Sequence, residues 1–336
     1  MTGRNRQIRL ASRPDGIPQA DNFAMIEDDV PEAADGELLV RNLYLSVEPA
    51  MRGWIVDKGN YSAPVAIGEV MRSLAVGCVE QTNVDGFEKG ALLLGWFGWQ
   101  EWAAATPDKV IRRIRETDLS PSLALGVLGL NGVTASLGLD RIGRPRPGET
   151  VLVSTAAGAV GSAVGQLARL QGCRTIGIAG GPDKVAACLS DFGYDAAIDY
   201  RSEDVDAALA HLAPRGVDVY FDNTAGSISD AALKHLAIGA RVVVCGTAAI
   251  ARWDPPPTGP RVERHILTKR ARMEGFVIFD HMDAFDPTAA RLAELVRDGR
   301  LRFREEMEEG IESCPGAIAK LYLGANKGKL IIRLGQ

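Results

Sequence analysis

One stretch limits what this chain can fold into more than any other: residues 149–181, ETVLVSTAAGAVGSAVGQLARLQGCRTIGIAGG. Residues 151–153 are consecutive apolar side chains, the pattern of a strand buried on both faces of a parallel sheet. Ala156, Gly158 and Gly161 follow in the three slots of a dinucleotide-binding G-x-G-x-x-G turn, with alanine in the first. Gly158 removes a side chain that would keep a pyrophosphate off the backbone, and Gly161 lets the next helix pack close to the strand. The unpaired N–H groups that open this helix, over Gly158, Ala159, Val160 and Gly161, face the anion. Val164, Leu167, Ala168 and Leu170 keep helical spacing, Gly172 is placed to end the helix, and residues 174–179 read as a second buried strand. With 37 glycines in the chain, such a pattern alone could arise by chance. Its place after a strand and before a helix favours nucleotide binding over a glycine-rich turn in some other α/β protein.

At 336 residues the chain exceeds what one hydrophobic core serves, so two domains are expected. Before the glycine turn, residues 8–14, 37–47, 73–81 and 90–103 read as strands separated by Gly, Pro and Asp turns, with residues 51–61 as a loop. That pattern indicates a β-rich opening domain. Trp96, Phe97, Trp99 and Trp102 in it read as core. Residues 123–138 read as a helical region, broken by Gly129, Asn131 and Gly132. Beyond Gly181, strands at 196–200, 217–221, 241–245 and 273–279 alternate with helices at 184–192, 205–212 and 228–236. Six strands alternating with helices make a doubly wound parallel α/β sheet. A Pro-rich loop, 253–260, interrupts this order and is of the kind that covers a site. Residues 288–297 form an amphipathic helix, and 301–336 return to short strands around a helix at 314–323. The predicted domains are therefore 1–122, completed by 301–336, and 123–300.

The net charge of −5 argues against a general nucleic-acid or anionic-membrane surface. No apolar run has membrane-spanning length, and residues 1–13 are too polar for a signal peptide. Five scattered cysteines, an odd number, suit a reducing compartment, so a cytoplasmic location is expected.

NAD-binding sheets of this type carry an acidic residue about 20 residues past the glycines, on the ribose hydroxyls. Here that place is Ala179-Gly180-Gly181, with no carboxylate to repel a 2′-phosphate. Lys184 follows at a helix start, and Tyr200-Arg201 ends the third strand near the same corner. NADP(H) is therefore the expected cofactor. Lys184 as a solvated surface lysine, and Asp183 in the acidic part, are the competing readings.

The ordered motifs Glu48-Pro49-Ala50-Met51-Arg52-Gly53, Tyr61 through Gly68-Glu69-Val70-Met71, Gly98-Trp99-Gln100-Glu101-Trp102, residues 156–165, Phe221-Asp222-Asn223, Cys245-Gly246, Gly275-Phe276-Val277-Ile278 and Gly324-Ala325-Asn326-Lys327-Gly328-Lys329 span nearly the whole chain. Together they resemble the zinc-independent medium-chain dehydrogenases/reductases of the prostaglandin reductase and alkenal/one double-bond reductase type. The resemblance implies a GroES-like β-rich catalytic domain, a Rossmann NADP(H)-binding domain and a homodimer. It implies that Gly158, Ala159, Val160 and Gly161 meet the pyrophosphate, and that Lys184 and Tyr200 hold the 2′-phosphate end. Asn223, Cys245, Gly246 with Thr247 beside it, Phe276, Val277, Ile278 and Asn326 would lie along the cofactor. The family usually has a tyrosine about five residues beyond the position of Gly246; here Ala251 stands there, and Trp253 is the nearest aromatic.

A catalytic zinc needs three Cys, His or carboxylate ligands. Residues 1–122 contain Cys78 and no histidine, and His211, His235, His265 and His281 lack partners at useful spacing, so no metal is expected. Without a metal to polarise an isolated carbonyl, a conjugated C=C–C=O is the easier target. Hydride delivered to the β-carbon of an enone or enal leaves a charge that the carbonyl spreads as an enolate. Tyr61, matching a tyrosine implicated in the family, is the candidate donor to the enolate oxygen, since a phenol stays protonated at neutral pH. Its competing reading is a packing aromatic in a Gly/Pro-flanked loop. Two other functions share the fold expectation: an NADPH:quinone reductase of the same superfamily, and a non-catalytic NADPH-binding sensor.

Overall fold

A computed structural model describes residues 3–57, 62–250, 253 and 255–335; Tyr61 and Ala251 lie outside them. The chain divides into two compact units, Met1–Gly126 with Glu305–Gln336, and Val127–Arg304. Among the described residues no helix is long and apolar enough to cross a membrane.

The first unit is β-rich. Its larger sheet runs in the order Glu305–Glu309, Lys329–Arg333, Leu38–Ser46, Ala75–Thr82, Leu92–Gly95 and Val110–Arg113, with Trp102–Ala105 also on Leu38–Ser46. The C-terminal strand Lys329–Arg333 thus sits inside the sheet, antiparallel to Leu38–Ser46. Leu38, Val40, Leu45, Leu93, Trp99, Leu330 and Ile332 share one core. Of the tryptophans read as core, Trp99 is fully buried and its indole N–H donates to the Ser46 carbonyl at 3.0 Å; Phe97 is buried beside it.

Three expectations for this unit need correction, and one strand is not legible in the sequence. The first strand, read at 8–14, is Arg4–Leu10, since the chain leaves the pairing with residues 23–29 after Leu10. The run 90–103 is not one strand. It breaks after Gly95, where a Cβ would lie 2.3 Å from the Phe97 ring, and the chain turns at Gly98 with φ +74°. Residues 51–54, read as loop, form one helical turn, Met51–Trp54, with Met51 and Trp54 buried. Strand Phe23–Asp29 carries no run of buried apolar residues, because it pairs only with Arg4–Leu10 and turns most of its side chains outward.

Where the two parts of this unit's sequence meet, Lys329 is buried with its amine donating to Ser46 Oγ (2.7 Å), the Val47 carbonyl (2.9 Å) and Glu48 Oε1 (3.3 Å). Burial lowers the amine's pKa against the opposing pull of Glu48.

The second unit holds the predicted doubly wound sheet. Its strands lie in the order Ala196–Asp199, Arg174–Ala179, Thr150–Ser154, Val217–Asp222, Leu236–Val244, Arg272–Gly275, and every pair is parallel. By sequence this is the order three, two, one, four, five, six. It places the reversal of winding between the first strand and the fourth. All five residues of Thr150–Ser154 are buried, as a strand covered on both faces requires.

The fifth strand starts at Leu236 rather than 241: Val217 already pairs Leu236, and a bulge follows before Val219 meets Arg241. The sixth is short and exposed, Arg272–Gly275 rather than 273–279, so Phe276, Val277 and Ile278 lie past its end. Helix Glu263–Lys269 was not legible, because it buries no residue and so carries no apolar stripe. The region 123–138 is a 3-10 turn, Pro121–Leu125, and a separate helix, Leu130–Gly138, parted at Gly126 and Gly129.

Candidate nucleotide-binding site

The glycine turn leaves the first strand at Ser154. Thr155 takes a positive φ of 53°, and Gly158 in extended conformation opens helix Ala159–Leu170. A Cβ on Gly161 would stand 2.3 Å from the Thr155 carbonyl oxygen, so the close helix–strand approach demands glycine there. At Gly158 a Cβ would meet the Thr155 methyl at 2.8 Å. No side chain caps the helix start, and Gly158, Ala159 and Val160 are half-buried. The first-turn N–H groups, with the helix dipole behind them, form a seat that fits a pyrophosphate.

At the next corner the second strand ends at Ala179, and Gly181 (φ 91°) opens helix Pro182–Ser190, with Lys184 in its first turn. The Tyr200 ring lies on Gly180, its Cε1 2.8 Å from where a Cβ would be, and is 43% exposed. Residues 179–181 carry no acid, and Asp183 lies beside Lys184 in the first turn. A further acid of this corner is Asp199, whose Oδ1 accepts from the Gly181 N–H (2.8 Å) and the Arg201 N–H (3.0 Å). Those two N–H groups, Gly181 first, hold the Asp199 carboxyl below its ordinary pKa. The carboxylate is committed to the backbone, while Lys184 and Tyr200 stand at the rim.

Beyond the fourth strand, Asn223 gives its backbone N–H to Ser154 Oγ (2.8 Å) and its side-chain Nδ2 to the Ser154 carbonyl (2.7 Å). The N–H groups of Cys245 and Gly246 both reach the Asp222 carbonyl, at 2.8 and 3.1 Å. Thr247 is exposed, and its carbonyl accepts from Ile250. The Phe276 N–H donates to the Val244 carbonyl (3.0 Å), and its ring stacks on His281. Val277 is half-buried and Ile278 buried. The carboxyl ends of the first, fourth, fifth and sixth strands therefore carry Gly158, Asn223, Cys245, Gly246 and Phe276 as neighbours in the sheet, where open α/β sheets take ligands. Asn326 belongs to the other unit, with its amide on the Gly328 carbonyl (2.7 Å).

The chain matches two family descriptions: "N-terminal domain of oxidoreductase" over residues 6–112 and "Zinc-binding dehydrogenase" over residues 159–294. It is 38% identical to the NADPH-dependent curcumin reductase of Escherichia coli (strain K12), across 98% of this chain and 97% of that one. It is 34% identical to the 2-alkenal reductase (NADP(+)-dependent) of Nicotiana tabacum, across 99% and 98%. Its fold superposes on the crystal structure of CurA in complex with NADPH from Vibrio vulnificus with a TM-score of 0.92, at 40% identity, covering 98% of this chain and 99% of that one. The chain belongs to the zinc-independent medium-chain dehydrogenases/reductases.

In this medium-chain reductase, among the described residues, no three His, Cys, Asp or Glu side chains gather as a metal site. His235 Nε2 meets Asp206 Oδ1 at 2.5 Å, and His281 Nδ1 meets the Arg141 guanidinium at 2.6 Å. Desolvation pushes the Cys245 thiol up to about 12, so at neutral pH it is a small apolar group and no nucleophile. Arg52 lies over the Tyr322 ring, 4.9 Å from its centre, and Trp253 is exposed. Two residues of the site escaped the sequence reading. Asp199 adjoins the predicted Tyr200, and Asp222 stands inside the quoted Phe221-Asp222-Asn223. Their signal, an acid on the last residue of a parallel strand, gains meaning only when the sheet brings N–H groups from distant positions to it.

Proposed function

We propose that this chain uses NADPH to reduce the carbon–carbon double bond of α,β-unsaturated aldehydes and ketones. The observation that carries the reading is the corner at the ends of the second and third strands. There the Asp199 carboxylate accepts from two backbone N–H groups, and Lys184 and Tyr200 lie at the same corner, a cation and a phenol suited to a 2′-phosphate. The names of the Escherichia coli and tobacco relatives support both the coenzyme and an activated alkene as substrate.

Bound NADPH supplies a hydride from C4 of its nicotinamide. The helix start at Ala159, Val160 and Gly161 holds the pyrophosphate, Lys184 and Tyr200 hold the 2′-phosphate, and Asn223, Cys245, Gly246 and residues 276–278 flank the nicotinamide. Asn326 is assigned to the cofactor by the resemblance alone. As the substrate's β-carbon accepts the hydride, its π electrons move to the carbonyl oxygen. Tyr61 donates a hydrogen bond to that enolate oxygen, and a side chain or water then protonates the α-carbon.

The sixth strand is an open edge of the parallel sheet, and Met273 on it and Leu267 before it are exposed; the homodimer of this proposal pairs this edge with that of a second copy. The five cysteines are unbridged, in keeping with a cytoplasmic location.

The test is NADPH oxidation with a linear 2-alkenal, a cyclic enone and a naphthoquinone, repeated with NADH. Turnover of the alkenal and enone with NADPH, and far less with NADH, is the expected result. Turnover of the quinone alone would make the protein a quinone reductase, and tight NADPH binding without any turnover would make it a non-catalytic binder. Tyr61→Phe should lower kcat with little change in NADPH affinity; an unchanged kcat removes Tyr61 from the reaction.

A further inference from the structure

The first and fourth strands are neighbours at which the winding of the sheet reverses, and both are followed by a residue in a backbone conformation disfavoured for its side chain. Thr155 has φ 53°, and Ala225 has φ 56° with ψ −158°, a region otherwise occupied almost only by glycine. Such strain persists only where the surroundings over-determine it. At Ala225 the surroundings centre on one carboxylate.

Asp222, the last residue of the fourth strand, is 3% exposed. Its Oδ1 accepts from the N–H groups of Thr224 and Ala225 (both 2.9 Å) and from Tyr220 Oη (3.0 Å). Thr224 Oγ1 and Ser154 Oγ stand at 3.3 Å, and Oδ2 accepts from Ser229 Oγ. Its own carbonyl takes the N–H groups of Cys245 and Gly246. Through Ser154 Oγ the network reaches the Asn223 N–H. One buried side chain thereby fixes the ends of the first and fourth strands, while its main chain fixes the end of the fifth. The Asn223 amide, held by the Ser154 carbonyl through Nδ2, keeps Oδ1 without a hydrogen bond among the described residues.

We propose that Asp222 is a positioning residue for the nicotinamide end of the cofactor. It holds the strained turn at Ala225 and, through Ser154, the acceptor oxygen of Asn223, so that this wall of the crevice is set before the cofactor arrives. The inference rests on the NADPH reading above and assigns a role to a residue that does not itself touch the cofactor. A fixed wall spares the binding step the ordering of a mobile turn.

The test compares two ligands by calorimetry on the full chain: NADPH, and 2′,5′-ADP, which carries the adenosine and 2′-phosphate but no nicotinamide. Asp222→Asn should weaken NADPH binding by about tenfold or more, the loss of roughly one charge-assisted hydrogen bond. Binding of 2′,5′-ADP should stay within about twofold. Adding Ala225→Gly to Asp222→Asn should restore part of the NADPH affinity, the part lost at the turn, because glycine adopts that conformation without being held in it. Equal affinities of Asp222→Asn and the parent chain for both ligands would overturn the proposal, as would a double variant no better than Asp222→Asn. Should Asp222→Asn fail to fold, Ser229→Ala, which strips the partner from Oδ2, is measured in its place. It should lower the preference for NADPH over 2′,5′-ADP, and an unchanged preference overturns the proposal. A parent chain that binds neither ligand refutes the NADPH reading itself, which is a different outcome from either of these.

Discussion

Lys184 and Cys245 behave oppositely because of where each residue stands. Lys184 lies half-buried in the first turn of helix Pro182–Ser190, where the helix dipole adds to its charge. Lys184→Ala should therefore raise the KM for NADPH by roughly ten- to a hundredfold, the worth of one charged hydrogen bond, and leave the KM for NADH nearly unchanged. Steady-state kinetics with the two coenzymes reads this directly, and equal effects on both would place Lys184 away from the 2′-phosphate. Cys245, with its thiol pushed up to about 12, has about one molecule in ten thousand ionised at pH 8. Iodoacetamide at that pH should spare it in the native protein and label it in urea, as peptide mass spectrometry would show. A native chain alkylated rapidly at Cys245 would mean that the site admits water more freely than its surroundings indicate.

Among the elements, strand Lys329–Arg333 brings a buried amine to the end of Leu38–Ser46, where Ser46, Val47 and Glu48 receive it. Lys329→Met should cost about 3–5 kcal/mol in urea denaturation because it strands the Glu48 carboxylate, while Lys329→Met with Glu48→Gln should recover most of that loss. The amine's pKa is lowered on folding, so between the folded value and the ordinary 10.5 the unfolded chain binds more protons. Stability from this group therefore grows as pH rises through that window, and the double variant should lose the growth. A double variant as unstable as the single one would rule out the ion pair as the cause. The sequence made some elements legible and hid others for physical reasons. Residues 151–153 announce their strand because both faces are covered, and Gly161 announces its turn because no other residue fits. Phe23–Asp29 and Glu263–Lys269 bury too little to leave a pattern. Asp199 could not be read at all, since its partner at Gly181 lies 18 positions away and is reached only through the sheet.

For the whole molecule, the dimer proposed above rests on the edge strand Arg272–Gly275. Met273→Asp together with Leu267→Asp should shift the protein from dimer to monomer in light scattering, at unchanged circular dichroism. A parent chain that is monomeric at micromolar concentration would end the dimer proposal. The larger sheet of the first unit has a different property: its second strand, Lys329–Arg333, comes from the far end of the polypeptide, after all of Val127–Arg304. A ribosome releases the continuous unit whole while the discontinuous one still lacks an inner strand. Until Ile331 and Ile332 emerge, the end of Leu38–Ser46 at residues 44–46 lacks a partner on the flank that Trp102–Ala105 pairs only along residues 38–41, and Leu45 lacks the cover of Leu330 and Ile332. The nascent chain thus carries that incomplete sheet while all of Val127–Arg304 is made, and a holdase that shields it would matter more to the yield than a helper acting on the nucleotide half.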